Sequence, residues 1–170
     1  MKRVQSALAL IDAMNEWVGK IFSFIVIAIM LVAFMEVMLR YVFSRPTTWA
    51  WEVNVQLLAL ITFFGAGYTL LYNRHVKLDM LILRLSPRRR ALVDLITGLF
   101  FFFACGLIIY EGVKAAWHSV SIREHLYTVF APPIYPLKCL LPIGVSLLLL
   151  QGIAKFIRDL MIFTQSEGGK

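Results

Sequence analysis

The sequence predicts an all-α integral membrane protein, a single membrane domain over residues 1–170 with four transmembrane helices. The chain is 60% hydrophobic with a mean hydropathy of +0.78, more apolar surface than a water-soluble domain of 170 residues can hide. Four apolar stretches, about residues 17–39, 53–71, 91–110 and 137–156, approach or reach the ~20 residues needed to cross a bilayer. No ionisable side chain sits near the middle of any of them. Inside hydrocarbon each backbone group must be bonded within its own segment, so spans without strand-like alternation are expected to be helices.

Charge gives an orientation. Twelve of the 17 Lys and Arg residues flank the spans on the side of the termini and of the central loop. The other five, Arg40, Arg45, Lys114, Arg123 and Lys138, lie on the opposite side. The bias predicts cytoplasmic N- and C-termini, with loops 40–52 and 111–136 facing outward. The net charge of +7 is thereby used for orientation rather than for nucleic-acid binding.

Lys2 and Arg3 precede the apolar run Ala7 to Ile11, which Asp12 interrupts before any small-residue cleavage site. This reads as a retained amphipathic lead-in rather than a signal peptide. Val4, Ala7, Leu8, Ile11 and Val18 recur at helical spacing, so the segment is expected to lie at the interface or to lengthen helix 1. Trp17 is placed at a headgroup level as a membrane anchor. Near the end of span 1, Glu36 and Arg40 are four residues apart in the favoured order for an ion pair. That pair is read as an interfacial salt bridge or, alternatively, as a contact to a partner protein.

Arg45-Pro46-Thr47-Thr48 gives turn chemistry and a Thr suited to capping the next helix. Trp49 and Trp51 mark the outer headgroup level. Glu52 falls in the first turn of helix 2, where the positive helix end stabilises a carboxylate; it is also a candidate docking group. Gly65, Ala66 and Gly67 thin that helix and permit close approach of another. The polar cluster Asn73 to Asp79, with Arg74, His75 and Asp79, precedes Met80 to Leu85, too apolar for a loose loop and too short to span. An interfacial helical segment is expected there, acting as a lipid anchor or a subunit contact.

Ser86-Pro87 reads as N-cap and first residue of helix 3, with Arg88, Arg89 and Arg90 in the anionic headgroup layer. Phe100 to Phe103 point all round that helix, so some must face lipid and some a neighbour. In the second outer loop, Arg123 and Glu124 are candidate partner-binding residues, and Pro132, Pro133 and Pro136 preclude a continuous helix. Pro142 and Gly144 suggest a kink in helix 4; Ser146, Gln151 and Gly152 could supply interhelical contacts. Cys105 and Cys139 differ in depth and are expected to be free, buried thiols.

The chemistry that is missing narrows the function. His75, His118 and His125 lie in loops or at interfaces rather than where haem ligands would sit, and no Cys pair is placed for redox work. The acids nearest the spans, Glu36, Glu52, Asp94 and Glu111, sit near ends, whereas a proton-coupled exporter needs one at mid-membrane. No inverted repeat is present. The chain is therefore expected to be no enzyme and to hold no metal or cofactor. An accessory membrane subunit is favoured over a self-assembling small exporter or channel, or a membrane anchor of a respiratory complex.

Several stretches resemble the small membrane subunit, DctQ-type, of tripartite ATP-independent periplasmic (TRAP) transporters. They are Arg40-Tyr41 with Trp49 to Glu52, Gly65-Ala66, Arg74-His75-Val76 with Asp79, Pro87-Arg88-Arg89, and Pro132, Tyr135, Pro142 and Gly144. The resemblance covers nearly the whole chain. It implies a partner in a sodium-driven transporter of organic acid anions, of the C4-dicarboxylate or sialic acid class, in the bacterial inner membrane. A large multi-span subunit would bind sodium and substrate and move by an elevator motion, and a periplasmic solute-binding protein would deliver the cargo. This chain would be the static scaffold, embedded in membrane lipid.

Overall fold

A computed structural model of the protein describes residues 2–72 and 87–165, with side chains at 5–72 and 95–161. The described residues form five helices: α1 (Lys2–Ser23), α2 (Ile25–Tyr41), α3 (Ala50–Leu71), α4 (Pro87–Ser121) and α5 (Tyr135–Gln165). Four stretches within them are long and apolar enough to cross a membrane: Gln5–Tyr41, Ala50–Leu71, Leu95–Ser121 and Tyr135–Met161. The first unites α1 and α2, so the amphipathic lead-in lengthens helix 1. They join at Phe24, where the chain tightens into i→i+3 bonds, Phe24 N to Ile21 O at 3.2 Å and Ile27 N to Phe24 O at 3.1 Å. Ser23 Oγ reinforces that bend by donating to Lys20 O at 2.6 Å.

The helices outrun the apolar stretches that announce them. α4 has 35 residues and continues from Tyr110 to Ser121, carrying Glu111, Lys114 and His118. Hydropathy marks only the part of a helix that crosses hydrocarbon, whereas backbone bonding continues where water can solvate the polar side chains. Pro87 opens α4 as expected of a first helical residue. The interfacial segment expected at residues 80–85 lies outside the described residues.

α5 is the centre of the bundle, packing most broadly on α4 and α3 and also meeting α1. Small residues allow this. A Cβ on Gly144 would come within 2.8 Å of Phe63 backbone oxygen, and one on Gly152 would overlap a ring carbon of Phe101. Phe102 meets Phe156 edge-on at 5.4 Å, while Phe100 and Phe103 point outward. The phenylalanine run thus divides between neighbour and surroundings. α1 packs on α3 through the Phe22–Phe64 stack, centroids 4.2 Å apart, and through Gly19 against Tyr68. Among the described residues α2 packs chiefly on α3 and α1 and buries no residue.

The bundle therefore has a terminal end, where α1 begins and α5 finishes, and a hairpin end, formed by loops 42–49 and 122–134. α5 runs as one helix through Pro142, whose carbonyl accepts from Ser146 Oγ at 2.7 Å. Of the two free cysteines, Cys105 is buried but Cys139 only half so.

Candidate functional site

Five residues from three helices meet at the terminal end. Asn15 Nδ2 donates to Ile11 O at 3.1 Å and to Gln151 Oε1 at 3.0 Å. Gln151 Nε2 donates to Asp12 Oδ1 at 2.9 Å, and Arg158 Nη2 donates to Asp12 Oδ2. Asn15 and Gln151 are each 1% exposed, so their amides have no water to fall back on. The Asp12 carboxylate and Arg158 guanidinium are half-buried and face the rim. The amide of Gln151 is thus fixed in both directions: its oxygen accepts from α1 and its nitrogen donates to α1.

The fifth residue is Gly67 of α3. Asn15 Oδ1 occupies the space a Cβ on Gly67 would fill, and it is buried without a hydrogen-bond partner among the described residues. Gly67 is therefore not a free partner face but the wall against which the clasp closes. Gly65, two residues earlier, is the opposite: a Cβ there would meet nothing within 4 Å.

Sequence reasoning had singled out Gln151 and Gly67 but missed Asp12, Asn15 and Arg158. The signal was available. Leu8, Ile11 and Asn15 share one helical face, and an amide among apolar residues on a buried face needs a partner.

At the hairpin end the polar contacts are local. Glu36 Oε1 accepts from Arg40 Nη2 at 2.7 Å and Nε at 3.1 Å, as the i,i+4 spacing predicts. Its other oxygen accepts from Thr47 N at 3.2 Å and from Thr47 Oγ1. Thr47 is thereby spent on Glu36, and the expected Thr cap of α3 is not made: Trp49 occupies the N-cap position without a side-chain bond.

The second loop is tied more firmly. Leu126 N donates to Pro132 O at 3.0 Å and Ile134 N to Glu124 O at 3.1 Å, closing an antiparallel bridge between His125 and Pro133. Lys138 Nζ donates to Glu124 Oε2 at 2.5 Å, and this ammonium holds the Glu124 carboxyl below the usual glutamate range. α4 ends with Glu124 N bonded to Ser119 O and Arg123 N to Val120 O, a Schellman pattern with Arg123 at φ 48° where glycine is usual. Beyond it the tip projects, with Tyr127 98% and Val129 91% exposed.

The remaining predicted residues divide by place. Trp49 is half-buried, whereas Trp51 and Trp17 are exposed, as anchors at the two ends would be. Glu52 Oε2 is buried without a hydrogen-bond partner among the described residues, in the first turn of α3. Arg123 is exposed beside His125, whose Nδ1 lies 2.6 Å from Arg123 O. Arg74, His75 and Asp79 lie outside the described residues. Arg88, Arg89 and Arg90 belong to α4, but their side chains are not among those described.

The model of the DctQ component of tripartite ATP-independent periplasmic transporters matches residues 29–161, from early α2 to late α5. The chain belongs to the DctQ family. It is a multi-pass membrane protein of a family described as a component of periplasmic transporters. It is also 30% identical over 79 residues to a protein of Haemophilus influenzae named as a TRAP transporter small permease. That similarity spans 46% of this chain and 49% of the relative, so it reaches about half the length of each. Within the DctQ-family chain, the α5 and α3 halves of the terminal clasp fall inside the matched residues. Asp12 and Asn15 precede them.

Proposed function

We propose that this DctQ-family chain is the static membrane frame of a sodium-gradient-driven importer of organic acid anions, of the C4-dicarboxylate or sialic acid class. It lies in the bacterial inner membrane with its terminal end in the cytoplasm. The large multi-span subunit holds the sodium and substrate sites, and this chain supplies no cofactor site of its own. The observation that carries the reading is a division of polarity: the central parts of the apolar stretches 17–39, 53–71, 91–110 and 137–156 carry no Asp, Glu, Lys, Arg or His, while the charged groups gather toward the two rims. Ion-coupled movement needs polar groups at depth, so the cargo passes through another chain.

A frame must resist deformation while a neighbour slides. The clasp of Asp12, Asn15, Gln151 and Arg158 supports this by tying the first span to the last. The tied-off hairpin end would face the periplasm. Its internally bonded loop, with Arg123 and the exposed tip, together with Trp49 of the first loop and Glu52 in the first turn of α3, is suited to receive the solute-binding protein. Glu124 contributes there by shaping the loop rather than by touching the partner.

Reconstitution tests this reading. Liposomes holding this chain alone should take up neither a C4-dicarboxylate nor sialic acid under a sodium gradient. Adding the large subunit and the binding protein should give sodium-dependent uptake of one of them. Uptake by this chain alone would overturn the reading.

A further inference from the structure

Between α1 and α3, toward the terminal end, lies a groove of about 450 Å³ lined by Gly19, Lys20, Ser23, Thr62, Gly65 and Thr69 among others. It exists because Gly65 contributes no side chain and nothing else fills the space. Its aliphatic hydroxyls are already used: Ser23 donates to Lys20 O at 2.6 Å, Thr62 to Leu58 O at 2.7 Å and Thr69 to Ala66 O at 2.8 Å, which leaves the Tyr68 phenol as the one other hydroxyl-bearing side chain of the lining. Their protons are turned to their own helices, so the walls offer the groove mostly methyl and methylene groups.

The mouth is ionic. Lys20 Nζ lies 2.6 Å from Glu16 Oε1, with side chains 64% and 37% exposed, so one positive and one negative group stand side by side at the surface. Gly19 packs on Tyr68, which follows Trp51 by 17 residues of α3, or about 25 Å of helix. That separation, set against a hydrocarbon thickness of about 30 Å, puts the pair at the headgroup level opposite Trp51. Trp17, exposed at the same height, agrees.

We infer that the groove seats one acyl chain of a zwitterionic glycerophospholipid, its phosphate on Lys20 and its headgroup ammonium on Glu16. The volume falls within the roughly 300–1,000 Å³ usual for small-ligand sites. Ile61 and Thr69 bound the groove on α3 eight residues apart, about 12 Å, room for the headgroup-proximal part of one acyl chain. An anionic lipid would satisfy Lys20 but leave Glu16 facing like charge, so the pair selects for a headgroup carrying both signs.

Native mass spectrometry of the full-length protein, released from detergent with palmitoyl-oleoyl phosphatidylethanolamine or phosphatidylglycerol added, tests this. The protein should retain one phosphatidylethanolamine in preference to phosphatidylglycerol. Gly65→Leu, and independently Thr62→Phe from the other wall, should abolish that retention while helical content and melting temperature hold. Lys20→Met should reduce it several-fold. Equal retention of the two lipids, or retention unchanged in both groove-filling variants, would overturn the inference. So would a cross-link from Gly65→Cys to another protein chain in native membranes.

Discussion

Both ends of the bundle close on a carboxylate, but the bonds reach over very different stretches of chain. At the terminal end Asp12 binds the Gln151 amide and the Arg158 guanidinium, 139 and 146 residues away. At the hairpin end Glu36 binds Thr47 and Glu124 binds Lys138, only 11 and 14 residues away, at partly exposed positions. The first arrangement fixes helices relative to one another; the second shapes loops whose helices are already adjacent. In a membrane, where apolar contact with lipid competes evenly with contact between helices, a long-range polar bond is one of the few ways to specify which helices pair.

The contrast should break most visibly at Gln151. Replacing it by Leu leaves the buried Asn15 amide and Asp12 short of partners, at a cost of about 1–3 kcal/mol. Thermal unfolding in detergent should show a clear drop for Gln151→Leu, partly restored in the Asn15→Leu/Gln151→Leu double variant, where no orphaned amide remains. Gly67 should come next. Gly67→Ala forces Asn15 Oδ1 aside at about 1–3 kcal/mol, whereas Gly65→Ala should stay within about 0.5 kcal/mol because its space is open.

Hairpin-end changes should be smaller and local. Arg123→Gly removes the left-handed strain and should raise the melting temperature by the equivalent of about 1 kcal/mol. Acid should loosen this end. Glu124 is depressed in the folded protein, so its contribution is present above the ordinary glutamate value of about 4.3 and is lost as pH falls below it. Limited proteolysis of loop 122–134 should therefore be unchanged from pH 8 to pH 5 and increase near pH 4, while Lys138→Met should give the same increase already at pH 7.

The spans were legible because hydrocarbon imposes a length and a composition that single residues cannot disguise. Glu36–Arg40 was legible too, since it depends only on helical spacing. Of the clasp, the need of Asn15 for some partner was legible; which partner was not, because the bonds join residues nearly a full chain apart and the sequence reports no tertiary neighbours. Asp12 looked like a mere interruption of an apolar run until Arg158 stood opposite it. Thr47 misled for a related reason: a hydroxyl before a helix is a good cap only when no stronger acceptor lies close, and Glu36 does.

The central claim is that the first and last spans move as one frame. Pulsed electron–electron resonance between spin labels at the exposed positions Leu10 and Leu160 measures that directly, in a chain freed of Cys105 and Cys139 and assembled with the large subunit. The account predicts one narrow distance, the same with and without sodium and ligand-loaded binding protein. A second distance, or a shift on adding either, would contradict it.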